Sequence, residues 1–334
     1  MLSQLTEDNA SHNSSVARVS TSSSDEKQTS NFGSAEIPET RSEKSQHHDG
    51  SHHHRRRSLL SYDEIPSWYQ DNPHIRQGYR PVSHSTSACL NSLSYAHNET
   101  MNIFTHLVPA IGLFICGFVY ISVRLRQHTG GDAGIVAALM LSEVACLGMS
   151  SAYHTLMCHS RAMESLWLRL DFVGIILLIF GSFVSSIYVG FWCESFERMI
   201  YWSMSGSMAA ISIVIVLAPA FQGQRWRTLR LLTFVCTGLS GLAPIIHQIY
   251  MFGIDQTMKQ SGLPYYFAEG GLFLVGAVVY GTRFPESLYP GKFDIYGSSH
   301  QIFHILVVMA TVCHLAGVFE AIEYNYYNRQ CSPR

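Results

Sequence analysis

The stretch that decides the fold runs from Gly297 to Leu315 and reads Gly-Ser-Ser-His-Gln-Ile-Phe-His-Ile-Leu-Val-Val-Met-Ala-Thr-Val-Cys-His-Leu. It places His300 and His304 four positions apart, at the head of a long apolar run. On a helix, residues four apart lie one above the other on the same face. The two imidazoles can therefore share one metal ion, close to the surface of a bilayer that the apolar run is able to cross.

The composition of the whole chain is that of a membrane protein. Of its 334 residues, 47% are hydrophobic and only 14% are charged, whereas a soluble domain has about 25% charged residues. The charged residues crowd into the N-terminal region and into the short gaps between apolar runs. A net charge of −2 gives no reason to expect a nucleic acid as a partner.

Seven apolar runs of about 20 residues follow one another, which is the length that crosses a bilayer as a helix. Helices are predicted because every backbone polar group in a membrane must be satisfied within its own segment. The fold class is therefore an all-α bundle of seven transmembrane helices. The predicted spans lie near 103–123, 134–157, 168–191, 199–219, 229–250, 264–282 and 300–322.

The rest of the chain divides around these spans. Residues 1–61, rich in Ser and His, are predicted to be a disordered cytoplasmic tail, because they have too few apolar residues to form a core. Residues 62–102 place Trp and Tyr among polar residues, which predicts an interfacial segment and a linker. The transmembrane domain covers 103–322, and 323–334 form a short C-terminal tail.

The orientation follows from Lys and Arg in the short loops. With a cytoplasmic N-terminus, the inner loops hold nine of these residues and the outer loops hold six. The positive-inside rule then predicts a cytoplasmic N-terminus and an extracytoplasmic C-terminus. The eight cysteines show no regular spacing and no CxxC motif, so all of them are predicted to be reduced.

A metal site is predicted from polar residues at the ends of the spans. His154 lies at the end of the second span and Asp171 near the start of the third. Because consecutive spans alternate in direction, both share one membrane side with His300 and His304. Three imidazoles with one open position form the ligand set of a catalytic zinc site. We therefore predict zinc bound by His154, His300 and His304.

Two further residues are predicted to act in catalysis at that site. Asp171 can accept a proton from water, and Ser150, one turn before His154, can stabilise a developing charge. A closed zinc site that only joins three helices would use the same histidines, so this alternative stays open. Glu143 is expected to point into the bundle, where it either lines a cavity or is hydrogen-bonded.

Three motifs resemble those of the progestin and adipoQ receptor family, also called the hemolysin III-related family. They are Glu-Thr-Met-Asn-Ile-Phe-Thr-His from Glu99, His-Thr-Leu-Met-Cys-His-Ser from His154, and Phe-Pro-Glu-Ser-Leu-Tyr-Pro-Gly-Lys-Phe-Asp-Ile-Tyr from Phe284. Adiponectin receptors and fungal Izh-type proteins belong to this family, and the polar N-terminus is more similar to the fungal members. The resemblance implies seven helices with a cytosolic N-terminus.

The resemblance also implies a function. Zinc would be held by the residues matching His154, His300 and His304, with Asp171 holding water and Ser150 beside it. Adiponectin receptors are associated with ceramidase activity, and fungal members with zinc homeostasis and with lipid or sterol metabolism. The partners this implies are a ceramide-like membrane lipid and, on the outer side, a protein ligand that no matched motif specifies.

The first hypothesis is thus a zinc-dependent lipid amide hydrolase with receptor-like signalling, in the plasma membrane or the endoplasmic reticulum. The second is a non-enzymatic receptor with structural zinc. The third is a zinc transporter that collects metal on the His-rich tail, which the lack of a polar ladder through the spans argues against. The oligomeric state is left open.

Overall fold

The computed structural model describes residues 59–124, 130–221 and 224–331. The predicted disordered tail, with its histidines, lies outside the described residues except for its last few positions. The last residues of the predicted C-terminal tail, 332–334, also lie outside them. The described part is helical, with the helices α1 (Thr86–Asn91), α2 (Thr100–Arg124), α3 (Gly130–Leu156), α4 (Arg161–Gly190), α5 (Ser195–Leu217), α6 (Arg227–Leu239), α7 (Leu242–Phe252), α8 (Ile254–Gln260), α9 (Leu263–Thr282) and α10 (Ser299–Asn328).

Seven segments of the described chain are helices long and apolar enough to cross a membrane, which confirms the predicted fold class. They are α2, α3, α4, α5, the pair α6 and α7, α9 and α10. α6 and α7 make one span from Thr228 to Phe252. The helix count and the order of the spans agree with the apolar runs in the sequence.

Two helices extend further than the apolar runs predicted. α4 begins at Arg161, where the Ser160 side chain accepts a hydrogen bond from the Met163 N–H and so caps the helix. α10 continues to Asn328, so the first part of the predicted C-terminal tail is helical. The physical reason is that hydropathy marks the part of a helix inside the hydrocarbon, whereas capping and backbone hydrogen bonding decide where the helix ends.

Close helix contacts depend on small residues. α3 packs along α4, and α9 packs along α10. A Cβ atom on Gly181 of α4 would lie 1.9 Å from the Ser142 Oγ of α3. At the start of α9, Gly262 has a φ of +67°, and a Cβ there would lie 2.6 Å from the Gly317 carbonyl oxygen. Glycine at these points lets helix backbones approach, as is common between membrane helices.

Residues 59–99 form a folded cap on the bundle end at which α3 ends. An antiparallel bridge joins Leu60 to Tyr79. Apolar side chains of the cap, including Tyr69 and Ile75, pack against Met157 and Cys158 just beyond α3. The segment predicted to lie at the interface thus contacts the part of α3 that carries His154.

The prediction that all cysteines are reduced is wrong for two of them. Cys193 and Cys331 form a disulfide across a sequence separation of 138 residues. Cys193 follows α4 and Cys331 follows α10, so the fold brings them together at one end of the bundle. Reading the spacing of cysteines along the chain cannot detect such a pair, because the contact is set by helix packing. The other six cysteines are free.

Candidate metal centre

The three predicted ligand histidines meet where α3 ends and α10 begins. One nitrogen from each of His154, His300 and His304 lies within 4.8 Å of the other two. The Nε2 atoms of His154 and His300 are 3.1 Å apart. His154 and His304 are buried and His300 is half-buried. Since zinc binds histidine nitrogen at about 2.0–2.1 Å, nitrogens this close need only small side-chain shifts to share one ion.

His154 is oriented by a buried carboxylate. Its Nδ1–H donates to Glu99 Oε2 over 2.8 Å. The two oxygens of Glu99 also accept hydrogen bonds from the side-chain amides of Asn102, at 2.6 Å, and Asn98, at 2.8 Å. Burial alone would raise the pKa of Glu99, but its hydrogen bonds with His154 and Asn102 and the charge of Arg80 lower it to about 2. Glu99 is therefore a carboxylate, and it leaves Nε2 of His154 as the nitrogen that could bind a metal.

His304 is oriented by the backbone of α2, the helix that begins directly after Glu99. Its Nδ1–H donates to the Asn102 carbonyl oxygen over 3.0 Å. The ring of His106 stacks on the His304 ring, with centroids 3.7 Å apart and an angle of 6°. These contacts fix the ring plane and point Nε2 away from α2, towards the other ligands.

The end of α3 is held by a buried arginine. Arg80 is only 1% exposed. Its guanidinium donates to the carbonyl oxygen of His154 at 2.6 Å and to that of Thr155 at 2.9 Å, and to Ser92 Oγ at 2.8 Å. The last carbonyls of a helix lack partners within the helix and carry partial negative charge. Arg80 satisfies them and so fixes the height of His154.

The start of α10 is held by a buried acid of opposite charge. Glu286 is 0% exposed. Its carboxylate accepts from the Ser299 N–H at 2.7 Å, from the Ser299 hydroxyl, and from Asn72 Nδ2 at 3.1 Å. A negative charge stabilises a helix N-terminus, where backbone N–H groups are free. Glu286 thereby sets where α10 begins, and with it the positions of His300 and His304.

Asp171 and Ser150 lie beside the metal ligands. Ser150 is buried on α3, and its hydroxyl interacts with the Asp171 carboxylate of α4. The His154 side chain lies within electrostatic range of this carboxylate. The structure thus brings together all five residues predicted for the site. Asp171 is thus a carboxylate separate from the three histidines, and it is available to accept a proton beside them.

Among the described residues, the other histidines do not belong to the three-histidine group. His159 interacts instead through Nδ1 with Ser160 Oγ at 3.1 Å. His247 contacts Tyr201 Oη at 3.0 Å. His314 lies deeper in the bundle and contacts Glu269.

Sequence reasoning missed Glu99, Arg80 and Glu286, which hold the ligands in place. Only Glu99 carried a usable signal, since it is an acid two residues after a histidine at the head of an apolar run. Arg80 lies in a segment that resembles an ordinary loop, and Glu286 lies in the motif that begins at Phe284, which does not reveal its contact with Ser299. Both roles depend on contacts across the fold.

Comparison with known protein families identifies the family of the chain. The family model described as haemolysin-III related matches residues 94–315. The chain belongs to the haemolysin-III-related family. This confirms the resemblance drawn from the three motifs, and together with the seven apolar helices it makes the chain a multi-pass integral membrane protein.

Curated members of the haemolysin-III-related family are similar along most of the chain. The adiponectin receptor protein of Drosophila melanogaster is 39% identical over 274 residues, 82% of this chain and 62% of the relative. Progestin and adipoQ receptor-like protein 1 of Caenorhabditis elegans is 37% identical over 277 residues, 83% and 63%. The ADIPOR-like receptor IZH2 of Saccharomyces cerevisiae is 39% identical over 270 residues, 80% and 85%. The chain thus spans less than two thirds of the first two relatives.

Proposed function

We propose that this protein is a zinc-dependent hydrolase of a lipid amide, with a ceramide-like substrate, and that it acts in lipid metabolism and receptor-like signalling. The observation that carries the proposal is the buried three-histidine group with Asp171 and Ser150 beside it. The relatives are named as receptors, which supports the signalling part. A protein ligand on the extracytoplasmic side belongs to the same proposal.

Zinc is the metal that this donor set favours. The site offers imidazole nitrogens, and the cysteines of the described chain are absent from the three-ligand group. Imidazole suits zinc, and three such ligands leave one coordination position for a reactant. Glu99 and the Asn102 carbonyl supply the outer hydrogen bonds that histidine ligands of metals usually have.

The mechanism assigns a role to each residue around the metal. His154, His300 and His304 would hold the zinc, which would supply the Lewis acidity that polarises an amide carbonyl and makes water acidic near neutral pH. Asp171 accepts the proton of the attacking water and later returns it to the leaving nitrogen. Ser150 donates a hydrogen bond that orients the carboxylate or the developing negative charge. The amide and one water yield a fatty acid and an amine.

We also propose that the metal centre faces the cytoplasm and that the C-terminus is extracytoplasmic. The Lys and Arg distribution supports this orientation. The Cys193–Cys331 disulfide supports it independently, because it joins the chain just after α4 and α10, at the end opposite the metal centre. Disulfides persist in oxidising compartments and are rare in the cytosol. The host membrane is then the plasma membrane or the endoplasmic reticulum.

The test measures zinc content and ceramide turnover on the same protein, purified and reconstituted in lipid nanodiscs. The variants are His304→Ala, Asp171→Asn and Ser150→Ala. Ser151→Ala is the matched control, since the Ser151 hydroxyl donates to the Leu147 carbonyl of its own helix at 2.8 Å. We expect wild type and Ser151→Ala to hold zinc and turn over ceramide at similar rates.

The variants separate catalysis from a structural metal. Asp171→Asn should keep zinc and lose turnover by at least about 100-fold, the lower bound for removing a general base. His304→Ala should lose both. If the zinc-loaded wild type releases no fatty acid, or if Asp171→Asn is as active as wild type, the hydrolase proposal is wrong. The metal then joins α3 and α10 in a non-enzymatic receptor.

A further inference from the structure

Two cysteines meet in the cap, at the end of the bundle where the metal centre lies. Cys89 of α1 and Cys158, two residues beyond α3, have their Sγ atoms 3.5 Å apart. Both side chains are buried, and both are free cysteines in the structure. The sulfurs of a disulfide are about 2.03–2.05 Å apart, so these two thiols are in contact but not bonded.

The position of this pair separates it from the other free cysteines. Four of them lie on helices that are long and apolar enough to span a membrane: Cys116, Cys146, Cys236 and Cys313. Among the described residues, Cys89 and Cys158 are the only free cysteines outside those spans. Because an ionised thiol is costly in hydrocarbon, reactive sulfur chemistry is favoured at the cap and not in the spans.

The backbone holds the two sulfurs together independently of the thiols. The Ser83 N–H donates to the Cys158 carbonyl oxygen at 3.0 Å, and the His84 N–H donates to the His159 carbonyl oxygen at 2.9 Å. These bonds pair the segment before α1 with the segment after α3. Bond formation therefore requires the sulfurs to approach by about 1.5 Å, and no distant segments have to be brought together.

Arg80 lies between the two segments that carry the sulfurs. Its guanidinium donates to Ser92 Oγ at 2.8 Å, and the Ser92 hydroxyl donates to the Cys89 carbonyl oxygen at 2.6 Å. On the other side, Arg80 donates at 2.9 Å to the carbonyl oxygen of Thr155, three residues before Cys158. A fixed cation beside a thiol favours the thiolate, which is the form that attacks an oxidant.

Cys89 is the better nucleophile of the two cysteines. The Ser83 hydroxyl oxygen lies 3.3 Å from its sulfur. Contact with Cys158, contact with Ser83 and the charge of Arg80 lower the pKa of the Cys89 thiol, against the opposing effect of burial. The contact with Cys89 and burial raise the pKa of Cys158 instead. Cys89 is thus suited to react first, and Cys158 to complete a disulfide.

Burial selects the oxidant by size. Cys89 and Cys158 are 0% and 2% exposed, whereas Ser83, which touches the Cys89 sulfur, is half-buried. A peroxide that is close to water in size needs only a small opening of the cap to reach the pair. A bulky disulfide such as oxidised glutathione needs a large opening. The expected oxidant is therefore hydrogen peroxide or another small hydroperoxide.

We propose that Cys89 and Cys158 form a site of reversible oxidation, at which hydrogen peroxide converts the two thiols into a disulfide that ties the cap to the end of α3. The Cys89 sulfur attacks one peroxide oxygen, the O–O bond breaks, and the departing hydroxide leaves as water with the Cys89 proton. The Cys158 sulfur then displaces hydroxide from the sulfenic acid of Cys89, and this hydroxide takes the Cys158 proton. Two thiols and one peroxide give one disulfide and two waters, so the sulfurs are oxidised and the peroxide is reduced.

The two cysteine pairs of the protein then differ in their redox roles. The proposed orientation places Cys89 and Cys158 in the cytoplasm, where reducing conditions keep thiols free at rest. The Cys193–Cys331 disulfide lies at the opposite end of the bundle. The cytoplasmic pair forms its bond only when peroxide is present, and thiol reductants reverse it. The oxidation site does not depend on the hydrolase activity.

The test uses zinc-loaded, full-length protein in nanodiscs, exposed to hydrogen peroxide or to oxidised glutathione at equal concentration. Remaining thiols are alkylated, the protein is digested without reduction, and the peptide that links Cys89 to Cys158 is quantified by mass spectrometry. The peptide that links Cys193 to Cys331 is the internal reference. Cys116→Ser is the matched control, because Cys116 is an exposed free cysteine on α2.

We expect peroxide to produce the Cys89–Cys158 peptide in wild type and in Cys116→Ser, and dithiothreitol to remove it. The bond should form at least about tenfold faster than the cysteines of the spans are oxidised, and oxidised glutathione should produce it much more slowly than peroxide. The proposal is overturned if wild type forms no such peptide at peroxide concentrations that oxidise Cys116. It is also overturned if oxidised glutathione forms the bond as fast as peroxide.

Two variants test the order of the steps. In Cys158→Ser, dimedone, which traps sulfenic acids, should label Cys89 after peroxide treatment, because no second thiol completes the bond. In Cys89→Ser, Cys158 should remain a thiol under the same conditions. Equal labelling of Cys158 in Cys89→Ser would refute the role given to Cys89. The wild-type measurement decides whether the site exists even if neither variant folds.

Discussion

Glu99 offers the sharpest test of how the metal centre is built. It accepts the Nδ1–H of His154 at 2.8 Å and is held in turn by Asn102 and Asn98. In Glu99→Gln the hydrogen bond to His154 persists but the negative charge is lost, and the new amide NH₂ takes the place of Oε1 and faces the Asn98 amide, which is itself a donor. In Glu99→Ala the His154 Nδ1–H and both asparagine amides lose their acceptor.

The magnitudes follow from these contacts. A hydrogen bond to a charged group contributes about 1.5–3 kcal/mol and a neutral one about 0.5–1.5, so Glu99→Gln should cost roughly 1.4 kcal/mol. That is about tenfold in zinc affinity. Glu99→Ala should cost about 100-fold, the upper end for outer partners of a ligand histidine.

The assay is a competition titration against a chelating dye of known zinc affinity, with purified protein in nanodiscs. Glu194→Gln is the matched control, because it neutralises a carboxylate that pairs with Arg329 at 2.8 Å near the Cys193–Cys331 disulfide. It should bind zinc like wild type. Zinc affinities within twofold of wild type for folded Glu99→Gln and Glu99→Ala would refute the assigned role of Glu99.

Three further predictions follow from contacts outside the hydrocarbon. Burial and the charge of Arg80 lower the pKa of His97 to about 3, and its Nδ1 accepts the Glu99 N–H at 3.1 Å. An unfolded histidine titrates near 6.5. The stability that the neutral His97 contributes is therefore complete above about pH 6.5 and declines towards pH 3. At pH 5.5 wild type should lose about 1.4 kcal/mol of unfolding free energy that His97→Asn retains, and parallel pH profiles by chemical denaturation would contradict this. Arg80→Met should lower the unfolding free energy by about 2–4 kcal/mol, because two helix-end carbonyls lose a charged donor; an unchanged denaturation midpoint would contradict it. Cys193 and Cys331 should react with a membrane-impermeant maleimide on intact cells only after reduction, and labelling before reduction would show that the bridge does not form.

Much of the fold could be predicted from the sequence because membranes impose a simple rule. Seven runs long enough to cross the hydrocarbon predict seven helices, and the structure has these helices in the same order. The ends were less predictable, since α4 begins at Arg161 among charged residues and α10 continues to Asn328. Such ends are decided by capping and interfacial contacts, which hydropathy does not report.

The candidate metal site was likewise predictable only in part. His154, His300 and His304 could be placed together from the sequence, because the alternation of spans fixes which ends share a membrane side. Arg80 could not be assigned, since the cap that carries it has no repeating pattern and its contacts with α3 arise only on folding. Glu99 carried only the signal of an acid near a histidine at the head of an apolar run, which does not show its contact with His154. The disulfide was missed for a similar reason.

The charges around the proposed metal centre would favour a divalent ion. Arg80 lies at the C-terminal end of α3 and Glu286 at the N-terminal end of α10, each with the sign that its helix end stabilises. These two charges offset each other, which leaves the carboxylates of Glu99 and Asp171 beside three neutral imidazoles. A divalent cation balances them, and in a site of low dielectric that balance is worth far more than it is in water. Glu99→Gln therefore leaves one excess positive charge in the zinc-bound site, which is a second reason for its weaker binding.

The same reasoning gives Asp171 both a chemical and an electrostatic role. Asp171→Asn should accordingly bind zinc more weakly than wild type, by about as much as Glu99→Gln, so its loss of turnover must be measured at saturating zinc.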